Sequence, residues 1–140
     1  MADGLPGARR LQGATLMILG IGTDLLDVAR MAKELEKEGA GFRDTVFTPS
    51  EIAYCEAKRY PARHFAARFA AKEALFKALA GSASRDFWHE VEVARTGDAP
   101  PRLLLHGGVK EAADRLGVTN ILVSLSHTDS LAAASVVLQG

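Results

Sequence analysis

A single cysteine, Cys55, stands among 140 residues. An internal disulfide is therefore impossible, and the chain fits a reducing compartment. Aromatic residues are few, six Phe, two Tyr and one Trp, and seventeen basic residues cancel seventeen acidic ones. A general nucleic-acid binder carries a basic excess and more aromatic surface, so any preference for an acidic partner has to come from a local patch. No apolar run approaches the roughly 20 residues that a membrane span needs. The opening M-A-D-G-L-P-G-A-R-R-L-Q-G-A-T-L lacks the continuous apolar core of a signal peptide. Residues 1–16 are expected to be a flexible N-terminal extension, with Met17 as an alternative start, and the cytoplasm is the expected location.

What is present is an ordinary globular mixture, 48% apolar and 24% charged, of a length that suits one domain over residues 17–140. Met17 to Leu25 reads as a buried strand ending at a carboxylate. Asp27 is expected to cap a following helix with Val28, Met31, Ala32 and Leu35 inward and Gly39 past its end. Arg30, Lys33 and Lys37 form a basic stripe on that helix, diluted by Glu34, Glu36 and Glu38; a solvated face and a partner-binding face both fit it. T-P-S-E, Thr48 to Glu51, is a strong helix start with a capping Thr, a Pro at the first helical position and a Glu three after the cap. Tyr60-Pro61 breaks the chain and opens a long helix that closes at Gly81. Strands are expected over His89 to Arg95 and Arg102 to Leu105, joined across Thr96 to Pro101. A helix over Val109 to Leu116 stops at Gly117, and apolar strands over Asn120 to Ser126 and Leu131 to Leu138 flank the turn H-T-D-S. The order of elements implies an α+β fold, a mainly antiparallel sheet packed on one long and several short helices.

The long helix, F-A-A-R-F-A-A-K-E-A-L-F-K-A-L-A-G, is unusual. Phe65, Phe69, Leu75, Phe76 and Leu79 share a stripe at about 100° per residue, and Arg68 and Lys72 fall inside it. Glu73 and Lys77 lie beside the stripe, and Ala67, Ala71, Ala74 and Ala78 form a third face suited to close packing. An exposed i, i+4 ion pair for Glu73 and Lys77, and snorkelling stems for Arg68 and Lys72, would explain the charges without function. Against that, the helix has almost no continuous polar face, so its charges need a cleft or a subunit contact, as a phosphate or metal-phosphate site would supply. Asp24 after the first strand and His127 at the hairpin tip fit the same idea: two carboxylates for a hard cation, and Lys, Arg and His for phosphate oxygens. Other chemistries are excluded. Gly20-Ile-Gly22 has no third glycine at dinucleotide spacing and lies within the strand. No phosphate-binding loop of Walker type, zinc spacing or serine nucleophile elbow occurs, and His64, His89, His106 and His127 show no metal-ligand spacing.

G-I-G-T-D-L-L-D-V-A-R, F-T-P-S-E with F-A-A-R-F-A-A-K-E-A-L-F-K-A-L, and V-S-L-S-H-T-D-S-L-A-A-A together resemble the holo-acyl carrier protein synthases, the short, single-repeat 4′-phosphopantetheinyl transferases. The three ordered blocks cover essentially Met17 to the C-terminus. The resemblance implies transfer of 4′-phosphopantetheine from coenzyme A to a serine of apo-acyl carrier protein, with release of adenosine 3′,5′-bisphosphate. It implies Mg²⁺ held by Asp24 and Glu73, Lys77 near the transferring phosphate, and Glu73 as the candidate base. It places Arg68, His127 and Thr128 on the nucleotide and its phosphates, and Arg30 on the carrier. It also implies a homotrimer with active sites between subunits, Asp24 and His127 from one chain and the Glu73 helix from the next. One departure stands out: where the family has a Gly-x-Gly loop after K-A-L, this chain has Ala80-Gly81-Ser82-Ala83-Ser84. Two rival readings remain, a non-catalytic coenzyme A and carrier-binding homologue and a metal-dependent phosphohydrolase acting on a nucleotide.

Overall fold

The computed structural model describes residues 15–37 and 41–140. Strand β1 (Ile18–Asp27) leads into helix α1 (Val28–Glu36), and two short helices follow, α2 (Gly41–Val46) and α3 (Pro49–Glu56). The long helix α4 (Pro61–Ala78), a 3₁₀ turn over Trp88–Glu90, the hairpin strands β2 (Val91–Ala94) and β3 (Arg102–Leu105), α5 (Gly107–Arg115), β4 (Asn120–His127) and β5 (Leu131–Gln139) complete the chain. The strands make a three-stranded antiparallel sheet in the order β1-β5-β4 and a separate two-stranded one, β2-β3. The α+β class is as the sequence implies. No described helix is long and apolar enough to cross a membrane.

Sheet alternation decides what faces α4. Gly20, Gly22, Asp24 and Leu26 point inward from β1, and Ala132, Ala134, Val136 and Leu138 from β5, as the burial pattern of period two requires. The alanine face of α4 lies directly against the two glycines. A Cβ built on Gly20 would sit 2.2 Å from the Ala78 carbonyl oxygen, and one on Gly22 would sit 1.9 Å from that of Ala74. The Gly-x-Gly pair is thus a seat for the helix backbone, not a nucleotide fingerprint. Phe65, Leu75, Phe76 and Leu79 are buried as expected, and Phe69 is half-buried.

Several elements differ from the sequence reading. Asp24 lies inside β1 and not after it, because pairing with β5 continues through Asp27↔Leu131. Asp27 occupies the cap position of α1 but accepts no capping hydrogen bond. The first hairpin strand starts at Val91, since His89 and Glu90 belong to the 3₁₀ turn. The helix α2 was not expected; its six residues are too few to show a period. The expected stop at Gly39, and residues 1–14 of the expected N-terminal extension, lie outside the described residues. The capping box at α3 is present as read, with the Thr48 hydroxyl accepting from Glu51 N and the Glu51 carboxylate accepting from Thr48 N.

Helix α4 ends at Ala78, and the backbone turns left-handed at Ala80 (φ 52°) and Gly81 (φ 83°). Ala80 opens the segment Ala80–Ser84 that departs from the Gly-x-Gly loop implied by the resemblance. An alanine there carries a steric strain that glycine lacks, partly offset by the greater freedom glycine has when unfolded. Ala80→Gly is expected to raise stability by about 0.5–1 kcal/mol, read as a higher melting temperature; an unchanged or lower value would show that the loop absorbs the strain elsewhere.

Candidate functional site

The four charges of α4 part ways. Glu73 and Lys77, one turn apart, rise beside the inward row of β1, so that after the two glycines the next side chain in the row, Asp24, meets Lys77 and lines one cleft with Glu73. The Lys77 ammonium donates to Asp24 Oδ1 at 3.1 Å and to the Thr23 carbonyl at 3.0 Å. Glu73, one-fifth exposed, lies 3.7 Å from the guanidinium of Arg85. The cleft they share measures about 490 Å³. Its polar lining adds Arg30 and Glu34 from α1, and its apolar lining is Leu25, Leu26, Met31, Phe42 and Phe69. Among the described residues no group of three or more His, Cys, Asp or Glu side chains could close around a metal ion. Two oxygen donors without a third protein ligand suit Mg²⁺, which keeps waters and takes substrate phosphate oxygens to complete its octahedron; they do not suit structural zinc.

Arg68 points elsewhere. It is buried, its guanidinium lies 4.0 Å from the centre of the Tyr54 ring, and Nη1 donates weakly to the His64 carbonyl at 3.5 Å. Among the described residues its Nε has no partner. A buried, underused guanidinium is an uncommon expense in a folded chain, and here it lines a second, smaller cleft of about 200 Å³ with Ser50, Tyr54, Arg95 and Thr96. The arrangement suits an anion. Ser50, Arg95 and Thr96 carry no signal in the sequence, because only folding brings the α3 start and the end of β2 to this side of α4.

His127 ends β4 with its ring 5.2 Å from that of His64, and Thr128 is occupied locally, its hydroxyl accepting from Ser130 N and Leu131 N to shape the turn. The Arg63 guanidinium holds the hairpin tip through Asp129 at 3.2 Å. Neither His127 nor Thr128 lines either cleft within the chain. Burial, reinforced by the positive field of His127, Arg68, Lys58 and Arg63, lowers the His64 pKa from 6.5 to about 4. A histidine that is harder to protonate when folded makes the unfolded state the better proton binder between those two values. Stability is therefore expected to fall as the pH drops from about 6.5 to about 4, and His64→Phe to flatten that slope in melting curves recorded across the window. An equal slope in the variant would assign the loss to other groups.

Lys72 is in neither cleft. It is fully buried, with Nζ 2.7 Å from Glu51 Oε1 and 2.7 Å from the Val46 carbonyl. Snorkelling is thus overturned for this residue: it is paired inside, and burial lowers its pKa while Glu51 pulls it back. Cys55 is buried and inert, its thiol pKa pushed up to about 12 chiefly by burial. A third cleft of about 450 Å³ between β3, α5 and β4 has mostly apolar walls and holds none of the expected site residues.

The expected division of the site between subunits needs correction. Asp24 and the Glu73–Lys77 face meet within one chain, at the 3.1 Å ion pair, because the β1 glycines bring strand and helix together. Of the expected site residues, Arg68, His127 and Thr128 stand apart from the carboxylate cleft.

The chain matches the family described as the 4′-phosphopantetheinyl transferase superfamily over residues 20–135. It is 41% identical over 124 residues to a holo-[acyl-carrier-protein] synthase of Koribacter versatilis, covering 88% of this chain and 99% of that one. Among solved structures, the holo-ACP-synthase of Plasmodium yoelii superposes with a TM-score of 0.78 at 31% identity, covering 91% of this chain and 98% of that one. The Helicobacter pylori holo-[acyl-carrier-protein] synthase, solved in complex with coenzyme A, gives 0.73 at 28% identity, covering 84% and 98%. Fold, motif order and similarity over nearly the whole domain agree, and the chain belongs to the holo-[acyl-carrier-protein] synthase family of 4′-phosphopantetheinyl transferases.

Proposed function

We propose that this protein transfers 4′-phosphopantetheine from coenzyme A to a serine of an apo-acyl carrier protein, in a Mg²⁺-dependent reaction that releases adenosine 3′,5′-bisphosphate. The observation that carries the reading is the convergence of Asp24, Glu73 and Lys77 in one cleft of a chain whose relatives bear this activity in their names. Asp24 and Glu73 would hold the ion, which when bound neutralises charge on the pyrophosphate oxygens. Lys77, on the same rim, neutralises charge on the phosphoryl group or the departing phosphate. The serine oxygen forms a bond to the phosphorus next to the pantetheine, the bond from that phosphorus to the bridging oxygen breaks, and Glu73 is placed to accept the serine proton. Little covalent chemistry is asked of the protein, so position and charge supply most of the rate.

The second cleft supports a nucleotide-phosphate role for Arg68, which lines that anion-sized space and whose buried Nε finds no partner among the described residues. Arg30, exposed on the rim of the first cleft, is the docking contact for the acidic carrier. A homotrimer is supported by the outer face of the β1-β5-β4 sheet, where Ile21 (70% exposed), Leu25 (65%) and Leu122 (49%) stand uncovered. Packing of those faces would let His127 and Thr128 of one chain approach the site of the next. Sedimentation should give the mass of three chains, and a monomer at micromolar concentration would remove this part of the reading.

The transfer itself is tested by the intact mass of an apo-acyl carrier protein after incubation with the protein, coenzyme A and Mg²⁺. A gain of one phosphopantetheine, lost with chelator, is the expected result. No gain across several carriers while coenzyme A still binds would favour a non-catalytic binding protein. Breakdown of coenzyme A without a carrier would favour a phosphohydrolase.

A further inference from the structure

Of Arg68, Lys72, Glu73 and Lys77, only Lys72 lines neither of the two clefts described for this helix. Its ammonium instead joins three other segments: it donates to the Val46 carbonyl at the end of α2 (2.7 Å), to Glu51 in the first turn of α3 (2.7 Å) and to the Trp88 carbonyl (3.3 Å). Glu51 extends the network, accepting from the backbone N–H groups of Thr48 and Val93. On α4, Lys72 stands between Phe69, three residues before it, and Phe76, four residues after, so the three side chains share one side of the helix. With its carbonyl held there, Trp88 stacks on Phe69 (5.1 Å, 26°) and meets Phe76 edge-on (5.3 Å, 84°). With the Val46 carbonyl held, the helix that carries Phe42 is fixed as well, and the Phe42 ring rests 6.0 Å from that of Phe69. Phe42 and Phe69 are the aromatic wall of the cleft that holds Asp24, Glu73 and Lys77.

We propose that the buried Lys72–Glu51 pair is a clamp that positions this aromatic wall, and through it the pantetheine arm of the donor, against Glu73 and Lys77. The inference rests on the transfer reading given above. Stability alone is a poor reason for such a pair, since apolar side chains of similar volume stabilise a core as well or better. What an ammonium with three directed hydrogen bonds adds is geometry: it sets where α2, α3 and the Trp88 turn sit relative to α4, whereas apolar packing leaves them freer to slide. Lys72 touches no reacting atom and is a positioning residue. Its neighbour Glu73 faces the cleft because the two side chains leave the helix about 100° apart.

The test compares the full-length chain with Lys72→Met, Glu51→Leu, the double variant and Glu51→Gln. Each is measured for melting temperature, for Trp88 emission (the chain has one tryptophan), and for kcat and KM with coenzyme A at saturating apo-carrier. Each single apolar variant strands a buried charge and is expected to lose stability, and the double variant to recover most of it. The double variant is nevertheless expected to show a KM for coenzyme A raised about tenfold with kcat within about threefold of the parent, and a red-shifted Trp88 emission. Glu51→Gln keeps the side-chain shape and is expected to raise the same KM about threefold; it decides the matter if the double variant does not fold. Parental KM in a well-folded double variant, or in Glu51→Gln, overturns the proposal and leaves the pair as scaffolding. If the parent chain transfers nothing, the functional reading fails on its own. The clamp is then judged by calorimetric affinity for coenzyme A, where a loss of about tenfold supports it and an unchanged affinity overturns it.

Discussion

Glu73→Gln is expected to lower the transfer rate by about 10²–10³-fold while the protein remains folded. Glu73 is one-fifth exposed and its carboxylate has, among the described residues, a single ionic neighbour, Arg85 at 3.7 Å, so removing its charge breaks no buried network among them. Glutamine keeps the volume and one oxygen, but it holds a hard cation weakly and cannot accept the serine proton. The loss should fall on kcat, because donor contacts at the aromatic wall and at Arg68 are untouched. The rate of phosphopantetheine gain on the carrier, followed by intact mass, checks the first point, and an unchanged melting temperature checks the second. A variant within about fivefold of the parent rate would take Glu73 out of the chemistry and with it the proposed ion site. Lys77→Met should be less severe for folding than any change at Lys72, since Lys77 is nearly half-exposed and pairs across a cleft.

Gly22→Ala is expected to be among the most damaging single-methyl changes in the chain. The added Cβ would lie 1.9 Å from the Ala74 carbonyl oxygen and 2.9 Å from the Ala78 amide nitrogen, both of them backbone atoms of α4. A flexible side chain could swing away, but a helix backbone cannot, so β1 and α4 would have to part by more than an ångström. Overpacking of this kind costs about 3 kcal/mol or more, a fall of about 10 °C in melting temperature for a domain of this size. Function should suffer beyond stability. Asp24 is two residues along the same inward row, and moving β1 carries its carboxylate away from Lys77. A variant that melts within a degree or two of the parent would show that the strand-to-helix contact is looser than its geometry states.

The local elements were legible in the amino-acid order because their signals are local. Thr48, Pro49 and Glu51 sit together as a capping box, the helix of Phe65 to Leu79 shows its period over four turns, and the last two strands flank a short polar turn. The composition of the carboxylate site was legible too, since Asp24, Glu73 and Lys77 lie in motifs with chemically pointed residues. What the order of residues could not reveal was which of four similar charges on one helix does what. Arg68, Lys72, Glu73 and Lys77 all fall on or beside the same stripe, and the stripe says only that they cannot all face water. Partners far away in the chain decide the rest: Glu51 and Val46 draw Lys72 into the core, Tyr54 stacks with Arg68 beside a second cleft, and Asp24 meets Lys77 at the rim of the first. The same holds for the two glycines of β1, whose spacing suggested a loop motif to be rejected but whose purpose appears only when the carbonyls of Ala74 and Ala78 occupy the room their missing side chains leave. A periodic pattern records the angle at which a side chain leaves its own helix or strand. The group that waits there is set by how elements distant in sequence pack, and in this protein that packing separates the buried, paired charge of Lys72 from the charges that line clefts.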